Sequence, residues 1–217
     1  MEQIGLLHDG QIYDLQTAEA LNIKGDIIKA DDSKESLEIL RHSCAHMMAQ
    51  AIKELYPEAK FFVGPVVKEG FYYDFKVESK ISDEDLPTIE KKMKEIADRK
   101  LPITRHETTK EEFYEKFKND ELKQAVLKNI KDDTLTIYKQ GDFEDLCRGP
   151  HLPNTRMIRS FKLTRVAGAY LGGDEKNEMI TRIYGIAFFD KQALFDYTKM
   201  IEEAKKTFEF IFDLSEK

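Results

Sequence analysis

The chain has 217 residues, and 34 basic against 41 acidic side chains leave a formal charge of −7, with 41% apolar residues. These values describe a soluble globular protein, and 14 Phe with 9 Tyr supply core material, which excludes disorder, a collagen and a disulfide-stapled peptide. No apolar run approaches the ~18 residues of a membrane span, no secretory leader pattern opens the chain, and Cys44 and Cys147 do not suggest a disulfide framework. The expected compartment is the reducing cytoplasm, with no membrane contact. The acidic balance argues against wrapping long nucleic acid by bulk charge, but leaves room for a local basic groove.

Residues 1–32 hold short apolar pieces around turn signals such as Asp9-Gly10 and Lys24-Gly25-Asp26, and read as a small β-rich N-terminal appendage. A helix follows. Asp32 and Glu35 have capping-box spacing, and Leu37, Leu40, Cys44, Met47, Met48, Ala51 and Leu55 keep a 3.6-residue period up to Tyr56-Pro57. Residues 70–78 alternate as a strand, with Phe71, Tyr73, Phe75 and Val77 on one side and Tyr72, Asp74 and Lys76 on the other. A second helix runs through Leu86, Ile89, Met93 and Ile96, behind the cluster at residues 82–85. A short strand near Ile103 precedes a third helix with Thr109 and Glu112 at capping-box spacing, and Leu122, Val126 and Ile130 suggest another helical piece. Strands are expected at 135–137, 143–147, 161–167 and 179–187, and a last helix from Asp190 through Ala204. Without strict βαβ alternation, the predicted class is α+β with a largely antiparallel sheet packed by helices, the main domain covering residues 33–206.

Two features carry chemistry. His42 and His46 share a helix face, and with Cys44 at zero they fall near +160° and −160°, opposite the apolar stripe at ~100° per residue. Downstream, Cys147-Arg-Gly-Pro-His151 presents a second pair across a turn. His42, His46, Cys147 and His151 form the donor set of a tetrahedral zinc site, and histidine also suits water activation near neutrality. Whether a metal sits there is left open by the sequence. Cys44, on the stripe, reads as structural.

The segments His42-Ser-Cys-Ala-His46, Gly64-Pro65, Gly70-Phe-Tyr-Tyr-Asp74, Asp145-Leu-Cys-Arg-Gly-Pro-His151, Gly168-Ala-Tyr170 and Arg182-Ile-Tyr-Gly185 resemble the editing region of the bacterial threonyl-tRNA synthetase family. The resemblance covers residues 37–206, and the Gly-Gly-Gly-Gln-Pro-like segment of alanyl-type relatives is absent. It implies the two-layer editing-domain fold and hydrolysis of serine misattached to threonine tRNA. The physical need is plain: one methyl separates serine from threonine, worth ~1–3 kcal/mol in a pocket, so a second site must supply the remaining discrimination.

The resemblance further implies that His42, His46, Cys147, His151, Asp145 and Lys123 take part in the reaction, with Tyr138 at the site. By residue chemistry alone Lys123 reads as a surface helix lysine, and Tyr138 reads equally as a core residue. Gly64, Tyr72 and Asp74 are expected to line the cleft, Gly168 and Gly172-Gly173 to let backbone approach the terminal adenosine, and Arg148, Lys162 and Arg165 to meet phosphate. The family implies no required cofactor, with zinc possible because alanyl-type relatives hold it on the same set. The expected partner is the acceptor end of threonine tRNA carrying serine. The match stops at residue 206, ahead of an apolar stretch at 207–217 in place of a ligase core, which reads as a truncated or free-standing form, with a synthetase core possible in trans. The alternative function is a silent, zinc-stabilised tRNA-binding or synthetase-partner module.

Overall fold

The computed structural model describes the backbone of residues 1–215 and the side chains of residues 1–207. In chain order the elements are β1 (Gln3–His8), β2 (Gln11–Asp14), α1 (Leu15–Ala20), β3 (Asp26–Lys29), α2 (Lys34–Leu55), β4 (Lys60–Phe61), β5 (Val66–Val67), β6 (Gly70–Lys76), α3 (Leu86–Asp98), β7 (Ile103–Thr109), α4 (Lys110–Lys116), α5 (Glu121–Lys128), β8 (Thr134–Gln140), β9 (Phe143–Leu146), β10 (Ser160–Tyr170), β11 (Met179–Phe188) and α6 (Lys191–Ser215). Every strand pairing is antiparallel. The fold is α+β, as the mixed pattern of periods predicts.

The central sheet has the order β10-β11-β6-β4, with β5 added on β6. Helix α2 packs on one of its faces and is buried on nearly all sides, from Ser36 through Ile52. The alternation of β6 explains the packing: Phe71, Tyr73 and Phe75 are each at most 1% exposed and point into the core shared with α2 and α3. Burying each such side chain contributes about 1.5–3 kcal/mol. A second sheet, β7-β8-β9, carries α4 and α5 over a smaller core of Phe113, Leu127, Leu135 and Ile137. The N-terminal sheet, β2-β1-β3, sends Ile4 and Ile28 into the main core.

Helix boundaries follow local chemistry with one exception. Ser82 and Asp85 form a capping box ahead of α3, and Thr109 and Glu112 form one on α4. The box expected at Asp32 and Glu35 does not form: the N-cap of α2 is Ser33. Asp32 instead accepts from the backbone N–H of Phe189 (2.6 Å) and Asp190 (3.2 Å), tying the start of α2 to the end of β11. A tertiary pair of donors outcompetes the local ones. The backbone of α6 continues to Ser215 rather than stopping near residue 206. Of the apolar stretch at 207–217, the side chains from residue 208 lie outside the described residues.

Candidate functional site

The two motif pairs converge. The nitrogen and sulfur atoms of His42, His46, Cys147 and His151 lie within 4.8 Å of one another. Ring centroids are 5.1 Å apart for His42–His46, 4.2 Å for His42–His151 and 4.4 Å for His46–His151. Helix α2 presents its two histidines on the face opposite Cys44, where His46 meets Tyr73 of β6 and Phe143 of β9, and the loop after β9 brings Cys147 and His151 up to them. Cys147 Sγ sits 3.0 Å from His151 Nε2.

Fixed partners orient the rings. His42 Nδ1 lies 3.2 Å from the carbonyl oxygen of Pro150. A carbonyl only accepts, so Nδ1 carries the proton and Nε2 keeps its lone pair. His151 Nδ1 meets Ser43 Oγ at 3.1 Å, and that hydroxyl also accepts from the backbone N–H of Leu152 at 2.8 Å. Burial lowers the pKa of all three histidines, that of His42 to about 4, and raises the Cys147 thiol well above its ordinary value. Neutral imidazoles are the form that ligates a metal, and three His plus one Cys is a zinc donor set. The residues therefore fit zinc by spacing and by protonation of the imidazoles.

Beside this cluster lies a buried charge pair. Lys123 Nζ, on α5, donates to Asp145 on β9, and the two side chains are 5% and 2% exposed. The Tyr73 hydroxyl donates to the other oxygen of the same carboxylate, and the backbone N–H of Leu146 adds a contact at 2.7 Å. Desolvation, with Asp145 next to it, pushes the Tyr73 phenol far up and keeps it a donor. Tyr73 packs edge-on to His46 at 6.1 Å between centroids, so the two halves of the site touch. Lys123 is thus a buried lysine at the site, not a surface one.

Tyr138 is 1% exposed, and its ring lies 4.5 Å from that of His151. Its hydroxyl donates to Asp14 Oδ2 at 2.6 Å and lies 3.0 Å from Thr17 Oγ1. Gly149 turns the loop with φ +77°, and a Cβ there would stand 2.6 Å from the Tyr138 oxygen and 2.8 Å from Asp14 Oδ2, so only glycine fits.

The remaining expected positions are not brought to the cluster. Tyr72 and Asp74 lie on the opposite face of β6, where Arg182 stacks on the Tyr72 ring at 3.8 Å and holds both Asp74 oxygens at 2.6 and 2.7 Å. The period of two puts them there as soon as Tyr73 faces inward. Gly64 lies against Tyr73, where a Cβ would fall 2.3 Å from the ring. Arg148 is at the surface, paired with Asp132 at 3.0 Å. Gly168 sits near the β10–β11 turn against Met179, Arg165 stacks on Tyr184 at 4.0 Å, and Lys162 pairs with Glu90 at 3.6 Å.

Three residues that touch the candidate site escaped the sequence reading. Tyr73 was placed on the core side, which is right, yet that side also holds Asp145. Ser43 sits one residue from the motif histidine His42, and only the position of His151 reveals its role. Asp14 lies in the N-terminal segment, with no motif to mark it.

Among the described residues, no helix is long and apolar enough to cross a membrane. Residues 135–184 match the family model described as the threonyl and alanyl tRNA synthetase second additional domain, which takes in Tyr138, Asp145, Cys147 and His151. A threonine–tRNA ligase from Campylobacter jejuni subsp. jejuni serotype O:6 is 64% identical over 205 residues, covering 94% of this chain and 34% of that protein. One from Campylobacter lari is 72% identical over 176 residues, 81% of this chain and 29% of the relative. One from Helicobacter hepaticus is 64% identical over 205 residues, again 94% of this chain and 34% of the relative. The chain spans about a third of the length of the curated relatives it matches. With that identity over 94% of its length and the second additional domain matched at residues 135–184, the chain belongs to the threonyl-tRNA synthetase family and corresponds to its N-terminal, editing-type region.

Proposed function

We propose that this region hydrolyses the ester bond of serine misattached to threonine tRNA. The observation that carries the reading is the contact between a cluster of neutral imidazoles and the buried Lys123–Asp145–Tyr73 group. Ester hydrolysis needs a held water, a cation or donor for the developing oxyanion, and a proton for the leaving ribose oxygen. His42, with its proton on Nδ1 and its Nε2 lone pair turned to the cluster, can hold and polarise water. Lys123, fixed by Asp145, supplies positive charge in a water-poor enclosure, where it acts more strongly than in bulk solvent. Asp145 in turn is held by Tyr73. The balanced outcome is one water consumed, the acyl C–O bond cleaved, serine released and the terminal ribose hydroxyl of the tRNA restored.

Should zinc bind, His42, His46, Cys147 and His151 would hold it, and the metal would supply Lewis-acid polarisation of water. The family resemblance favours hydrolysis without it. Specificity for serine over threonine follows from the one-methyl difference, which a tight acyl site excludes by clash more strongly than it could by lost contact.

The test is deacylation of seryl and threonyl esters of threonine tRNA by the purified chain. The expected result is rapid loss of serine with threonine largely retained. Equal rates on both esters would reject the discrimination. Tight tRNA binding without hydrolysis, in a protein of one zinc per chain by metal analysis, would favour a silent zinc-stabilised module.

A further inference from the structure

The N-terminal sheet reaches into the site through one residue. Asp14 closes β2 and is 1% exposed. One carboxylate oxygen, Oδ1, accepts from the backbone N–H of Thr17 at 2.8 Å, which caps α1 and fixes the side chain to its own element. The other, Oδ2, leaves that element altogether. It accepts from the backbone N–H of His151 at 2.9 Å and from the Tyr138 hydroxyl at 2.6 Å. Three distant segments therefore meet on one oxygen: the N-terminal unit, strand β8 and the loop after β9.

The consequence falls on His151. Its main chain is held by Asp14, and its ring nitrogen Nδ1 by Ser43 on α2. Two anchors from two elements leave Nε2 aimed at Cys147 Sγ at 3.0 Å. The loop cannot drift away from Asp14 without losing both a buried hydrogen bond and the packing of Tyr138 on the imidazole. Nor can the loop carry a side chain at residue 149, because Asp14 Oδ2 and the Tyr138 oxygen occupy that space. A residue that merely capped a helix would need only the Thr17 contact.

We infer that Asp14 is a positioning residue of the hydrolytic site, so that the N-terminal three-stranded unit is a working part of that site and not an appendage to it. The inference rests on the hydrolase reading above. Asp14 touches no reacting atom; it acts through His151, and removing it should slow turnover and leave tRNA binding intact.

The full chain and its Asp14→Ala and Asp14→Asn variants would be compared in two measurements. The first is kcat and KM for seryl-tRNA deacylation. The second is amide hydrogen exchange at His151, with Ala49 and Ala51 of α2 as the reference for global stability. For Asp14→Ala the expected results are kcat lower by about tenfold or more with KM within about twofold. His151 exchange should be faster by about tenfold or more, with the α2 amides unchanged. Asp14→Asn keeps one carbonyl acceptor and should recover part of both losses; if Asp14→Ala does not fold, the Asn variant alone carries the comparison. A folded Asp14→Ala with near-normal kcat overturns the inference. So does exchange that rises equally at His151 and in α2, because that pattern marks a purely global stabilising role. If the unaltered chain shows no deacylation, the hydrolase reading fails by itself, and the exchange comparison still decides whether Asp14 holds His151.

Discussion

Two faces of one strand show how this site is built. On the inner face of β6, Tyr73 is buried, donates to Asp145 and packs against His46. On the outer face, one residue away on either side, Tyr72 and Asp74 are tied up with Arg182, which stacks on the ring and grips the carboxylate. The five residues Gly70-Phe-Tyr-Tyr-Asp74 read as one motif, yet the pleat divides them between a buried polar enclosure and a charge network that staples β6 to β11. Adjacent residues in a strand motif therefore share a cause, which is the strand, without sharing a site.

The sharpest contrast is in turnover. His42→Ala or Asp145→Asn should lower seryl-tRNA deacylation by ~10²-fold or more, the scale of positioned acid–base and electrostatic groups. Tyr73→Phe should cost about tenfold, whereas Tyr72→Phe on the outer face should stay within about twofold. Equal losses for the two tyrosine variants would break the division between faces.

Stability gives the next test. Lys123→Met leaves Asp145 buried without its cation and should destabilise the chain by about 3–5 kcal/mol in urea unfolding. Glu121→Gln, which touches the surface pairs with Lys60 and Lys76, should cost at most about 1 kcal/mol. If both cost the same, the Lys123–Asp145 pair is more hydrated than its burial indicates.

The histidine cluster also predicts a pH dependence. The folded state holds His42 neutral down to about pH 4, while an unfolded histidine protonates near its ordinary value of 6.5. Between these values the unfolded chain binds more protons, so stability is complete above about pH 6.5 and is lost as pH falls toward 4. At about 1.4 kcal/mol per unit, His42 alone accounts for roughly 3 kcal/mol, read as a lower Tm at pH 4.5 than at pH 7.5. A flat Tm over that range would show that the imidazoles are hydrated or already charged.

Smaller still, Asp74→Asn should cost about 1–3 kcal/mol of stability by loosening Arg182, while folded protein keeps its deacylation rate. Cys44→Ala should cost roughly 1 kcal/mol and leave turnover unchanged, since Cys44 is fully buried in the main core. Loss of turnover in well-folded Cys44→Ala would place the thiol in the chemistry after all.

Much of this was legible in advance. The 3.6-residue period of α2 separated Cys44 from His42 and His46, because a regular helix converts residue number into direction. The spacing within Cys147–His151 marked the second pair, and alternation along the strand expected at 143–147 put Asp145 on the same side as Cys147. Lys123 was named through family resemblance alone: its helix reads as amphipathic, and a lysine on such a helix is ordinarily solvated. Tyr72 and Asp74 were assigned to the cleft although their own alternation with Tyr73 argued otherwise. Asp32 was assigned a local cap and found a distant one, because a side chain with two acceptor oxygens goes to whichever N–H groups folding leaves unpaired.

What the sequence determined by itself are the features with a short range: helix faces, strand alternation, the capping box at Thr109, and the two His/Cys pairs as chemical units. The tertiary structure alone decided which units meet. Asp14 and His151 are 137 residues apart, Tyr73 and Asp145 are 72 apart, and Ser43 and His151 are 108 apart. Periodicity sets the direction of a side chain within its own element, but carries no information about which buried donor on another element will stand opposite it. That pairing is chosen when the sheets close on α2 and each buried polar group must find a partner.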